Sequence, residues 1–66
     1  MSVKFSETLK KLRKERGITQ MKLANEIYVS RTLITKYETG AVYPTKDNLS
    51  KLAEFFGIKV SELATS

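Results

Sequence analysis

Residues 19–39 read TQMKLANEIYVSRTLITKYET, and the way this stretch divides decides the fold. Leu23, Ala24 and Ile27 lie at i, i+1 and i+4, and Ile34 and Tyr37 lie three apart, so both halves carry helical spacing. Thr19 can cap the first helix and Ser30 the second, since a short hydroxyl side chain can accept from the free N–H groups of a helix start. Only Tyr28, Val29 and Ser30 stand between them. Two helices on so short a connection cross steeply, and a small residue must sit where they touch. Ala24 fills that place, Val29 plugs the turn, and Ile27, Ile34 and Tyr37 face inward.

The rest of the chain is punctuated by its glycines. Gly17 follows SETLKKLRKER, Gly40 follows SRTLITKYET and Gly57 follows NLSKLAEFF. Each lies just past a helix-periodic run, where a left-handed stop favours Gly. Pro44 precedes Thr45-Lys46-Asp47, a helix start with Thr45 as its cap. Phe5, Leu9 and Leu12 form one apolar stripe; Leu49, Leu52, Ala53 and Phe56 form another. The reading is an all-α chain of five helices, at about 5–16, 20–27, 31–39, 46–56 and 60–64, with no strand signal. Residues 1–66 are expected to form one domain. Its core is expected to hold Phe5, Leu9, Leu12, Leu23, Ile27, Ile34, Leu49, Leu52, Phe56 and Leu63.

Composition narrows what such a domain can do. Apolar residues are 41% of the chain, enough for a folded core rather than a disordered segment. There is no Cys and no His, which removes disulfides, thiol nucleophiles, imidazole bases and nearly every zinc site. No nucleophile–base pair and no Gly-rich phosphate loop is present, so neither an enzyme nor a cofactor is expected. No apolar run approaches the ~20 residues of a membrane span, and the first residues lack the apolar region of a signal peptide. The expectation is a soluble, cytoplasmic module. Net charge is +5, and it is uneven: residues 1–22 hold seven Lys/Arg against two Glu, and the remainder balances. Lys10, Lys11 and Lys14 are either a solvated helix surface or a source of positive potential near nucleic acid.

The layout of residues 20–39 is that of a helix-turn-helix, whose second helix can enter a DNA major groove by its N-terminal end. The outward positions of that helix are Arg31, Thr32, Thr35 and Lys36. Arg and Lys can donate to guanine O6 and N7, and Thr can hydrogen-bond a base or touch a thymine methyl. No carboxylate interrupts that face before Glu38.

The residues Leu12-Arg13-Lys14-Glu15-Arg16-Gly17-Ile18-Thr19-Gln20, Leu23-Ala24, Val29-Ser30-Arg31, Ile34, Glu38-x-Gly40, Pro44, Leu49, Leu52-Ala53, Gly57-Ile58 and Glu62-Leu63, in that order and spacing, resemble the Cro/repressor-type (XRE) helix-turn-helix family. The resemblance covers roughly residues 5–64 and implies a five-helix, lambda-repressor-like DNA-binding domain. It implies that Gln20 binds a backbone phosphate and buttresses the recognition helix, and that Arg13 pairs with Glu38. It also implies that Ala41 to Tyr43 run along the phosphate backbone. Four positions depart from the family pattern. Tyr28 stands where the turn usually has Gly, Met21 replaces a charged or small residue, and Leu33 replaces a polar one. Lys59 replaces a common Ser cap.

The expected function is therefore a sequence-specific transcriptional regulator, a repressor, that binds double-stranded DNA as a homodimer on a pseudo-palindromic operator. Its DNA-binding residues are expected to be Gln20, Ser30, Arg31, Thr32, Thr35, Lys36 and Tyr43. Tyr43 has two readings, on the DNA backbone or as a cover for its own loop. Phe55 also has two: a partly exposed ring against the last helix, or a dimer contact with Leu63 or Val60. A second class of function is a protein-interaction module that uses Tyr28, Leu33 and Phe55 as exposed apolar surface.

Overall fold

The structure, a computed structural model, describes residues 3–64. Five helices follow one another: α1 (Val3–Glu15), α2 (Gln20–Glu26), α3 (Arg31–Thr39), α4 (Lys46–Phe56) and α5 (Val60–Leu63). No strand occurs among the described residues. α1 begins two residues before the expected start, because apolar spacing marks a helix only from its first buried residue, here Phe5. α2 closes at Glu26 and α5 at Leu63, with Ile27 and Ala64 as the half-helical residues beyond them.

Starts and stops follow local chemistry. Thr19, Ser30 and Thr45 each accept from the N–H three residues on, at 3.0, 3.1 and 3.3 Å from Lys22, Leu33 and Asn48. At α5 the cap is Lys59, whose ammonium can only donate and so cannot accept from a helix N–H. There the Glu62 carboxylate reaches back instead and accepts from the Lys59 N–H at 2.8 Å.

The first four helices end in the same motif. The N–H groups of Ile18, Val29, Ala41 and Ile58 return to the carbonyls of Arg13, Ala24, Lys36 and Ala53 at 3.3, 3.0, 2.9 and 3.0 Å. The residue just before each of these takes a left-handed φ: 66° at Gly17, 62° at Tyr28, 81° at Gly40 and 70° at Gly57. A Cβ at Gly17 or Gly57 would meet no atom within 4 Å. It is φ, not crowding, that selects Gly there.

α3 lies at the centre, with α1 and α2 packed against it, while α5 packs on α4 and α1. The core holds Phe5, Leu9, Leu23, Ala24, Ile27, Ile34, Tyr37, Leu49, Leu52, Ala53, Phe56 and Leu63. Leu12, expected fully inside, is only half-buried at its edge. Ala24 is 0% exposed, and its small side chain leaves room for α2 to pack against α3. The Tyr37 ring meets Phe5 edge-on at 6.0 Å, and its hydroxyl accepts from Asn48 Nδ2 at 3.0 Å. Arg16 closes the far end: its Nη2 donates to the Phe56 carbonyl at 2.6 Å, and its guanidinium lies 5.3 Å from the Phe56 ring centre. That places a cation at the C-terminus of α4, where free carbonyls favour one.

Candidate nucleic-acid interface

The helix-turn-helix is held from behind by a polar cluster. Glu38, on the inner side of α3, is 5% exposed. Arg13 of α1 grips it with two bonds, Nε at 2.6 Å and Nη2 at 3.1 Å. The third arm of Arg13, Nη1, donates to the Ile18 carbonyl at 2.9 Å and so fixes the α1–α2 loop. Gln20, the first residue of α2, donates from Nε2 to Glu38 Oε1 at 3.0 Å. Its Oε1 accepts from the Thr35 hydroxyl at 3.1 Å. One buried carboxylate thus ties α1, α2 and α3 together. Among the described residues no buried side-chain nitrogen or oxygen lacks a partner.

The Arg13–Glu38 pair expected from the resemblance is present. Gln20 buttresses α3 as the resemblance implies, through its bonds to Glu38 and Thr35. Its carbonyl oxygen and one amide hydrogen are engaged inside the chain, and one N–H remains.

On the outer side of α3, Arg31, Thr32 and Lys36 are exposed and Thr35 is half-buried. At 100° per residue these four fall within one face of the helix. Among the described residues neither Arg31 nor Lys36 has an ion-pair partner. Ser30 is exposed, with its hydroxyl oxygen capping α3. An open groove between the N-terminal ends of α2 and α3 is lined by Arg13, Thr19, Gln20, Met21 and Arg31. No carboxylate lines it, and it brings one side of the expected site, Gln20 and Arg31, together.

Tyr43 is placed differently from its neighbours in the expected set. Its ring tilts onto Phe5 at 5.2 Å and remains 49% exposed, so it covers the α3–α4 loop and still presents an edge to solvent. Of the cations on α1, Lys10, Lys11 and Lys14 are exposed, whereas Arg13, and Arg16 just past the helix, serve the fold.

Two expected apolar placements, those of Leu33 and Leu63, need correction. Leu33 was expected on the surface but packs half-buried against the core: it lies four residues before Tyr37 and shares the edge of that stripe. Phe55 is half-buried, its ring edge-on to Phe56 at 5.1 Å, which fits the first of its two readings, a partly exposed ring. Leu63 is 0% exposed inside its own chain, so it offers no surface to a second copy. Tyr28 keeps its expected exposure, 87%, and Met21 is 51% exposed. Tyr28 and Phe55 share a shallow cleft with Glu26, Ile27, Lys51 and Glu54. Glu38 was expected only as the partner of Arg13. Its acidic, helix-ending position gave no sign that it also sets the orientation of Gln20.

A family model described as Helix-turn-helix matches residues 9–63. The chain is 41% identical over 61 residues to the HTH-type transcriptional activator BcrR of Enterococcus faecalis, covering 92% of this chain and 30% of that protein. It is 36% identical over 61 residues to the cryptic phage CTXphi transcriptional repressor RstR of Vibrio cholerae, covering 92% of this chain and 55% of that one. Among solved structures, a transcriptional regulator from Listeria innocua superposes with a TM-score of 0.88 at 29% identity, covering 94% of this chain and 58% of that one. The chain spans between about a third and just over half of these proteins. With the match running through nearly all of the described helices, the chain belongs to the helix-turn-helix family of Cro/repressor (XRE) type, a family of DNA-binding transcriptional regulators and not of enzymes.

Proposed function

We propose that residues 1–66 act as one DNA-binding domain, in the cytoplasm, as a sequence-specific repressor. It binds a pseudo-palindromic operator as a homodimer, α3 of each copy reading the major groove of one half-site. Half-site centres then lie about 34 Å apart. The observation that carries this reading is the outer face of α3: Arg31, Thr32 and Lys36 exposed together on a helix whose inner face is locked. Gln20, Ser30 and Tyr43 flank that face and contact the phosphate backbone, which sets position rather than sequence. Thr35 faces a base. Two copies on one site multiply the modest readout of a small module, and twofold symmetry in the protein asks for near-twofold symmetry in the site. Repression follows from occupying promoter DNA. The repressor RstR and the activator BcrR support opposite signs, and a promoter reporter carrying the selected site separates them: expression falls if the protein represses.

The test is selection from a randomised duplex pool, followed by anisotropy titration of the winner at two salt concentrations. The expected winner is pseudo-palindromic, is bound far more tightly than random DNA, and loses affinity steeply as salt rises. No enrichment would contradict the reading. A second reading rests on exposed Tyr28 and its cleft with Phe55, which suit a protein partner. Such an apolar contact responds little to salt, so the same titration tells the two apart.

A further inference from the structure

Thr35 makes two contacts within the chain. Its Oγ1 lies 3.1 Å from Gln20 Oε1 and 3.2 Å from the Arg31 carbonyl oxygen. A hydroxyl has one proton and two lone pairs. Both neighbours are oxygens that only accept, so whichever of them takes it, the Thr35 proton points into the protein.

The orientation of Gln20 makes one neighbour an oxygen, and that orientation is fixed from deeper in the fold. The other end of the Gln20 amide lies 3.0 Å from Glu38 Oε1. Glu38 is a carboxylate gripped by the Arg13 guanidinium at 2.6 and 3.1 Å, and it can only accept. Turning the Gln20 amide over would set two oxygens against each other there. From the buried carboxylate outward the direction of every bond follows: Glu38 accepts, Gln20 donates and accepts, Thr35 donates inward.

We infer that Thr35 offers DNA only its lone pairs, and therefore selects an exocyclic amino group, adenine N6 or cytosine N4, at the base pair it faces. A threonine with a free proton could equally seek guanine O6 or N7 or thymine O4. Here two inward acceptors, the Arg31 carbonyl and the Gln20 oxygen that Glu38 orients, have removed that option. The inference rests on the assignment of α3 as the recognition helix made above, and it adds the chemical class of one base contact.

Two substitutions in the full chain separate the hydroxyl from the methyl. Thr35→Ser keeps the hydroxyl; Thr35→Val keeps the methyl and the shape. Duplex selection is run on the wild type and both variants, with thermal melting to show that each is folded. Thr35→Ser is expected to retain the wild-type preference at every position. Thr35→Val is expected to lose it at one base pair and to bind the wild-type operator about three- to tenfold more weakly, the size of one hydrogen bond. At that pair, adenine is then replaced by purine, or cytosine by 2-pyrimidinone, each lacking the amino group. The wild type is expected to weaken by the same factor and Thr35→Val not at all.

Preference kept by valine and lost by serine would assign a thymine methyl contact and overturn the inference. So would wild-type affinity that ignores the amino group but falls on 7-deazaguanine. If both Thr35 variants keep the wild-type site while Arg31→Ala alters it, α3 remains the recognition helix and the inference fails by itself. If Arg31→Ala also leaves the site unchanged, the assignment of α3 fails and takes the inference with it.

Discussion

On its inner face α3 holds Ile34 at 0%, Tyr37 at 2% and Glu38 at 5% exposure; on its outer face Arg31, Thr32 and Lys36 stand in solvent. Both faces carry charge, and the difference lies in what the charge is tied to. Glu38 has a guanidinium and an amide as partners inside the chain, so its polar atoms define where the helices sit. Arg31 and Lys36 have no ion-pair partner among the described residues, so their donors are available to something outside. Thr35, half-buried, lies on the boundary and is bound to Gln20 of α2.

Breaking the inner face should have the largest effect. Glu38→Ala strips the partner from Arg13, whose side chain is only 13% exposed, and frees the Gln20 amide. A loss of about 3 kcal/mol or more is expected in urea denaturation, since removing one member of a buried pair leaves the other charge uncompensated. A melt unchanged from wild type would mean that α3 is held by its apolar contacts alone.

A smaller effect, of opposite sign, is expected at the end of α2. Of the four matching helix stops, three use Gly and one uses Tyr28, at φ 62°. A side chain in that conformation costs about 1 kcal/mol, partly offset by the added freedom that Gly gives the unfolded chain. The Tyr28 ring is 87% exposed, so its removal forfeits little packing. Tyr28→Gly should raise stability by roughly 0.5 kcal/mol and leave operator affinity unchanged. If affinity for DNA falls instead, the ring belongs to the functional face, and the division between faces of α3 does not describe the whole interface.

Much of this was legible in the sequence because the signals were local. Gly17, Gly40 and Gly57 marked stops where backbone φ demands them, and Thr19, Ser30 and Thr45 marked starts where a hydroxyl meets free N–H groups. Periodicity placed Phe5, Leu9 and Leu23 inside, and the resemblance supplied the Arg13–Glu38 pair across 25 positions. What could not be read was the direction of bonds. Nothing in the order Gln20, Thr35, Glu38 says which amide end faces which oxygen; that emerges only when α2 crosses α3. Leu33 was misplaced for a related reason. Its neighbour Ile34 pointed to the centre of the inner face, and the edge that Leu33 shares with Tyr37 becomes visible only once the width of that face is known. Tyr43 was left open between two roles, and its ring lies on Phe5 with an edge in solvent.

The most direct test of the division between the faces measures one variant in two ways. Arg31→Ala is melted alongside the wild type and titrated against both the selected operator and a scrambled duplex. The expected result is an unchanged melt, a loss of about 1–3 kcal/mol on the operator with relaxed preference at one base position, and little change on the scrambled duplex. An Arg31→Ala protein that melts earlier yet keeps the wild-type preference would contradict it.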